Sequence, residues 1–384
     1  MKKLCTELRS LSIFRALLRD PVIAALQRYL ESETVSDYAA FVSALYDTEK
    51  RTLAGYVQSI VGCDENAYIR MIGKGGIPWP EMVSNVQGEL AILQRVADLT
   101  PEALTASLKW EGYLPGFAVK HVDIADNYRR RCENIGRYGY GIYAKYHMFY
   151  VNNGQIVPVL HPDGTQLADL VDYQREKKII LDNTLALLAG KPAANVLLTG
   201  DAGTGKSSTI KAVVNELHEQ GLRILEVRKE QLHQIPEILD HLSNNPLKFI
   251  LFIDDLSFQK GDDNFSALKA ILEGSVSAKA SNIVIYATSN RRHLVKESFS
   301  DREGDDIHRN DTMQEVISLS ERFGIQVTFQ KPSKATYLSI VRHLAREQGI
   351  EMDENTLDMK AEQFALNRGG RSARAAKQFV DSLL

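Results

Sequence analysis

"NVLLTGDAGTGKS", residues Asn195 to Ser207, is an apolar run that breaks into a glycine-rich loop ending in Lys-Ser. Gly200 to Ser207 matches G-x-x-x-x-G-K-[ST], and it stands in the required context, directly after a strand-like run and opening a helical one. Glycines let backbone N–H groups turn inward onto phosphate oxygens, and the helix start adds a favourable dipole. The spacing predicts a phosphate cradle made by Gly200, Asp201, Ala202, Gly203, Thr204, Gly205, Lys206, Ser207 and Ser208. Lys206 is expected on the β- and γ-phosphates of ATP and Ser207 on Mg2+. The bland alternative is a glycine-rich turn with an incidental lysine.

The same rhythm continues downstream. A helix is expected from about Gly205 to Gln220, then strands in "LRILEV", "KFILFID", "NIVIYAT" (282–288) and "IQVTF" (325–329), with another helix in "QIPEILDHL". Continuous apolar strands separated by helices predict an α/β fold: a parallel five-stranded sheet covered on both faces. The stretch 332–384 reads as helical throughout and is expected to form a small C-terminal domain.

The strand "FILFIDDLSF", Phe249 to Phe258, runs into two adjacent carboxylates. It is expected to bring Asp254 beside the loop as a metal ligand and Asp255 as the group orienting the attacking water. A turn cap is the other common use of Asp, and it stays open for Asp255. Glu273 in "LKAILEGS" is a further candidate base. The fourth strand ends "YATSNRR", which offers Asn290 to the water or the γ-phosphate, with Thr288 and Ser289 behind it.

The chain of 384 residues has room for two or three domains. Its 44% apolar and 25% charged residues are those of a globular protein, and a net charge of −3 argues against a whole-surface attraction to nucleic acid. Cys5, Cys63 and Cys132 are odd in number and lack CxxC spacing, which speaks against a disulfide framework or a zinc ribbon. Charges interrupt the apolar residues of the first twenty positions, and no 18-residue apolar run occurs. A soluble, cytoplasmic protein with no membrane partner is expected.

Apolar spacing up to about residue 110 is mostly helical, and Thr100-Pro101-Glu102 signals a helix start. Residues 138–160 alternate and are rich in aromatics, with Asn153-Gly154 as a hairpin turn. Domain boundaries follow at 1–165 (helical, with the hairpin), 166–331 (nucleotide-binding) and 332–384 (helical). Residues 161–166 read as a loop, and "LADLVDYQREKKIILDNTLALLAG" as a helical linker ending at Gly190. The stretch Tyr128–Tyr150 interleaves six tyrosines with Arg129, Arg130, Arg131, Arg137 and Lys145. Such a mixture can track nucleic acid, but packing tyrosines and paired arginines explain it at least as well. Trp79 and Trp110 are read as core. An acidic run at Asp301, Glu303, Asp305, Asp306 with His308 reads as a solvated loop rather than a metal site, and Asp311 with Gln314 as a capping box.

Together these motifs resemble the AAA+ branch of P-loop ATPases over about residues 170–384. The resemblance rests on the loop at 200–207, the acidic strand at 249–255, Asn290, "SERFGI" (320–325) and "GGRSAR" (369–374). It implies that Arg322, just before the fifth strand, reaches the γ-phosphate of a neighbouring subunit, much as in branch-migration motors. Arg371, at the start of a lid helix, matches a second sensor, and Arg374 lies one turn further on. More narrowly, "DDLSF", "YATSNRRHL" and "LSERFG" resemble an uncharacterised bacterial AAA+ family known as a domain of unknown function, whose pattern carries Asp-Asp at the acidic strand. The resemblance implies an oligomeric, Mg-dependent ATP hydrolase that remodels or loads a protein or nucleic-acid client. A slow nucleotide switch with little turnover is the alternative. A small-molecule kinase would explain the loop but not Asn290, Arg322 and Arg371 together.

Overall fold

The computed structural model describes residues 2–258, 263–273, 280–290 and 321–384. The acidic run at 301–308 and the capping pair Asp311 and Gln314 lie outside the described residues. The chain divides into two compact units, Met1–Lys145 and Tyr146–Leu384. No helix among the described residues is long and apolar enough to cross a membrane.

The first unit is helical because its apolar residues recur every three to four positions and local caps start its turns. Asp20, Thr34, Thr52, Asn66, Thr100 and Asp123 each accept a backbone N–H at a helix start. Pro101 occupies the first turn after Thr100, as its sequence signalled. Tyr29, Tyr38, Phe41, Leu93 and Phe14 fill the core with no exposed surface. Glu89 is buried beside them, and it accepts from Ser12 N at 2.7 Å, Ser12 Oγ at 2.6 Å and Phe14 N at 2.9 Å. Trp79 and Trp110, expected in the core, are 63% and 52% exposed. Trp79 is the residue before Pro80, where a helix begins, so its backbone is extended and its ring faces solvent.

The second unit is built on one sheet. Its strands are β1 (Met148–Asn152), β2 (Gln155–Pro158), β3 (Val196–Gly200), β4 (Leu222–Glu226), β5 (Lys248–Ile253), β6 (Ile283–Ser289) and β7 (Ile325–Phe329). They lie in the order β2-β1-β4-β5-β6-β3-β7. The five strands read from the alternating pattern are all present and mutually parallel. The sheet nevertheless has seven strands rather than five. The hairpin assigned to the N-terminal domain belongs here, because β1 pairs in parallel with β4, Met148 opposite Ile224. The division of the chain accordingly falls at 145/146 and not at 165. Asn153 and Gly154 turn the hairpin with φ of 48° and 77°, as a type I′ turn requires.

Strands β3, β4 and β5 are buried along nearly their whole length, as expected when helices cover both faces. The linker helix spans Gln174–Leu188, shorter than its apolar pattern, and Gly190, just past the Ala189 cap, turns the chain away with φ of 69°. Helix Lys206–Leu217 follows β3, and Ile235–Ser243 follows β4. Three helices, Lys334–Glu347, Glu354–Asn367 and Ala373–Asp381, pack around Tyr337, Val341, Ala361 and Phe379.

At the lower end of the sheet, buried Asn282 donates to three carbonyls, Leu242 O and Asn245 O at 2.9 Å and Leu247 O at 3.2 Å. It sets the entry of β6 beside β5. Asn282→Ala removes these three bonds and should destabilise the second unit by about 2 kcal/mol. Hydrogen exchange in β5 and β6 measures this; unchanged protection there would show that the three bonds do not hold the pair.

Candidate functional site

At the C-terminal ends of the parallel strands lies a cleft of about 740 Å³, a size that takes a small-molecule ligand. Residues Ala202 to Thr209, Asp254, Asp255, Thr288 and Asn290 line its floor. Ala373, Arg374 and Lys377 come from the last helix.

The loop is shaped by three glycines with positive φ: Gly200 at 135°, Gly203 at 77° and Gly205 at 92°. At Gly200 a Cβ would lie 2.0 Å from the carbonyl oxygen of Phe329 in β7, so no larger residue fits. Lys206 is 5% exposed, and its Nζ donates to Gly200 O at 2.9 Å, Asp201 O at 2.8 Å and Asn290 Oδ1 at 2.9 Å. Burial pushes its ammonium pKa down, while Asp201, Asp254 and Asp255 push it back up.

Strand β6 lies between β3 and β5, so its end touches both the loop and the acidic pair. Asp254 Oδ1 accepts from Ser207 Oγ at 2.6 Å and from Thr288 Oγ1 at 2.5 Å. Asp255 N donates to Thr288 Oγ1 at 2.9 Å, and Asp255 Oδ1 accepts from Asn290 Nδ2 at 2.7 Å. Asn290 therefore bridges Lys206 and Asp255. Asp255 itself has φ of 53°, a left-handed conformation that Asp tolerates better than most residues. Ser207 and Asp254 present two hard oxygens side by side, the protein share of a typical Mg2+ site. Among the described residues no group of three acidic, His or Cys side chains is placed to hold a metal unaided.

Several candidates lie elsewhere. Arg322 pairs with Glu273, through Nε at 2.8 Å and a second nitrogen, and neither residue lines the cleft. Glu273 is thus placed against Arg322 rather than as a base on the cleft floor. Arg371 also stays out: its guanidinium grips Glu362 with two bonds, at 2.8 and 2.6 Å. The reason is the position of the cap. Ser372 is the N-cap of the last helix, so Arg371 precedes the helix while Arg374 lies within its first turn. The N–H of Arg374 also bonds Gly203 O at 3.2 Å.

One side of the cleft carried no sequence signal. Asp163, Thr165, Asp169 to Tyr173 and Lys177 line it. This strip is clamped by Asn215, which donates to Asp163 O at 2.8 Å and Thr165 O at 2.7 Å, and by Lys177 Nζ on Leu170 O at 2.6 Å. Asp172 and Tyr173 both have positive φ, 72° and 57°. Two consecutive non-glycine residues in that region were the one available clue, and they are visible only in three dimensions. The tyrosine-rich stretch has an ordinary explanation in part: Tyr128, Tyr140 and Tyr143 are buried, and Arg129 and Arg130 pair with Asp126.

A family model described as "Protein of unknown function (DUF815)" matches residues 143–384. No curated protein matches the chain. Among solved structures the chain is similar to a point mutant of Thermotoga maritima RuvB, at 16% identity and a TM-score of 0.39, over 56% of this chain and 63% of that one. It is also similar to the Thermotoga maritima RuvB Holliday junction branch migration motor, at 15% identity and a TM-score of 0.34, over 57% of this chain and 72% of that one.

Removing Arg374 and removing Arg371 should have unequal effects. Arg374→Ala is expected to weaken binding of an anionic ligand in the cleft about tenfold, the loss of one charged hydrogen bond. Arg371→Ala should stay within about threefold, since its guanidinium is committed to Glu362. Titration with a fluorescent ATP analogue checks the ranking, and the reverse order would return the role to Arg371.

Proposed function

The chain belongs to the family described as protein of unknown function DUF815, and we propose that its second unit binds ATP with Mg2+ and hydrolyses it to remodel or load a protein or nucleic-acid client, as an oligomer in which Arg322 acts on the neighbouring subunit. The observation that carries this reading is the meeting of Lys206, Ser207, Asp254, Asp255 and Asn290 on one cleft floor. Loop, acidic strand and a polar strand end are what phosphoryl transfer to water needs, since catalysis there is mostly positioning and charge neutralisation.

Ser207 and Asp254 are the residues that would hold Mg2+, which when bound neutralises charge on the β- and γ-phosphate oxygens. Lys206 already has three acceptors, so binding phosphate means exchanging at least one of them for a phosphate oxygen. Its bond to Asn290 is the natural one to yield, because Gly200 O and Asp201 O belong to the loop itself. Asn290 would then turn its amide toward the γ-phosphate while keeping Asp255 oriented. Asp255 offers the carboxylate that aligns the water and takes up its proton. Being one methylene shorter than Glu, it depends on the backbone for reach.

Arg322 is held by Glu273 in its own subunit. Acting in trans requires that it leave this pair when a second copy arrives, and an isolated chain would turn over slowly. That pairing also favours the second reading, a nucleotide-dependent switch with little turnover.

ATP turnover measured against protein concentration separates the two. The hydrolase reading expects the rate per subunit to climb with assembly and to fall about 10³-fold or more in Arg322→Ala. Asp255→Asn should bind ATP normally and lose turnover. A rate that is independent of concentration and intact in Arg322→Ala would overturn the trans arginine. Tight binding with no turnover at any concentration would favour the switch.

A further inference from the structure

The first unit contains a pocket of about 330 Å³ that has no part in the reading above. It lies among helix Leu53–Cys63, helix Ile124–Glu133 and the turn at Tyr138. Its polar wall is made by Lys50, Gln58, Ser59, Asn127, Arg130 and Arg131, and no carboxylate is among the described lining residues.

The charge on this wall is not balanced locally. Arg130 is paired with Asp126 at 2.6 Å, and Lys50 is exposed at the rim. Arg131 is the unusual group. Its Nε and one terminal nitrogen are enclosed, and neither has a hydrogen-bond partner. The guanidinium carbon lies 4.9 Å over the ring of Tyr138, and a Cβ at Gly62 would come within 3.1 Å of Nε. Glycine at 62 therefore makes room for the side chain against the helix. An arginine cannot shed its proton inside a protein, so the charge stays. Enclosed charges ordinarily find a counter-ion; these two nitrogens are themselves shut off from the pocket, so what Arg131 offers a ligand there is its unpaired positive charge. The neighbouring Cys63 thiol senses the same field. Burial pushes its pKa up, and Arg131, Lys145 and Lys50 pull it down.

We propose that this pocket binds a phosphate monoester, with Arg131 and Lys50 neutralising its charge and Ser59, Gln58 and Asn127 donating to its oxygens. The chemistry favours phosphate over carboxylate. A phosphate monoester carries close to two negative charges and three strong acceptor oxygens, which suits two unpaired cations and three neutral donors. A carboxylate brings one charge and two oxygens. The volume is at the lower end for small-molecule sites. It holds a phosphorylated small molecule or the phosphorylated end of a strand, and it is too small to follow a nucleic-acid backbone.

The test uses the full chain and reads alkylation of Cys63 by iodoacetamide, located by peptide mass spectrometry. Inorganic phosphate at about 10 mM should slow the reaction roughly threefold or more, a response expected for a dissociation constant in the millimolar range. Potassium chloride at the same ionic strength should not slow it. The slowing should vanish in Lys50→Gln, an exposed substitution that leaves the fold intact, and in Arg131→Gln. It should persist in Lys206→Ala, because the phosphate cradle of the second unit is a different site. A 5′-phosphorylated oligonucleotide that protects Cys63 while its 5′-hydroxyl twin does not would place the ligand at a strand end. Protection by inorganic phosphate but by neither oligonucleotide would assign a small molecule. Equal rates in phosphate and chloride, equal slowing in Lys50→Gln, or equal protection by both oligonucleotides would overturn the proposal.

Discussion

One carboxylate oxygen holds the cleft of the second unit together. Asp254 Oδ1 receives Ser207 Oγ, Thr288 Oγ1 and, at 3.2 Å, the backbone N–H of Asp255. These donors come from the start of the helix after β3, from the end of β6 and from the acidic turn itself. Strand order makes the meeting possible, since β6 separates β3 from β5 and brings its last residues between them. An ionised carboxylate has about four acceptor sites, so gathering three donors on one oxygen still leaves the other free for further bonds. Small side chains are required: Ser and Thr reach across a parallel strand spacing of ~4.8 Å, and longer ones would crowd the floor.

A division between structural and cleft-facing arginines runs through the last three helices. Arg371 and Lys334 both engage Glu362, and the Arg371 guanidinium holds that carboxyl below the usual range. Arg342 does similar work with Asp358 and Glu354. These pairs fasten the helices to one another. Arg374 and Lys377 face the cleft instead. Neighbouring residues of like charge thus have unlike roles, and the role follows from which side of the Ser372 cap each stands on.

Much of this was legible in the sequence, and the limits have physical causes. The meeting of the loop, the acidic strand and Asn290 on one cleft could be read because residue type, spacing and strand context point to it together. The parallel strands could be read because burial on both faces leaves continuous apolar runs. The hairpin was recognised through Asn153-Gly154, but not its place, because pairing β1 with β4 depends on backbone edges that any residue provides. The strip 163–173 escaped for the same reason: Asn215 and Lys177 hold it by carbonyl oxygens, which every residue has. The choice between Arg371 and Arg374 turned on a cap position one residue away. The pairing of Arg322 with Glu273 joins positions 49 apart, beyond any local pattern.

The bond between the Arg374 N–H and Gly203 O joins the last helix to the glycine-rich loop through main-chain atoms only. Side-chain replacement at 374 leaves both bonding atoms in place, and only proline there would delete the donor; position 203 is held to glycine by its φ of 77°. Descendants of this chain can therefore exchange the side chain that 374 presents to the cleft, while the mechanical link between helix and loop is inherited unchanged. Specificity and coupling, so often bound up in the same residue, are here free to evolve at different speeds.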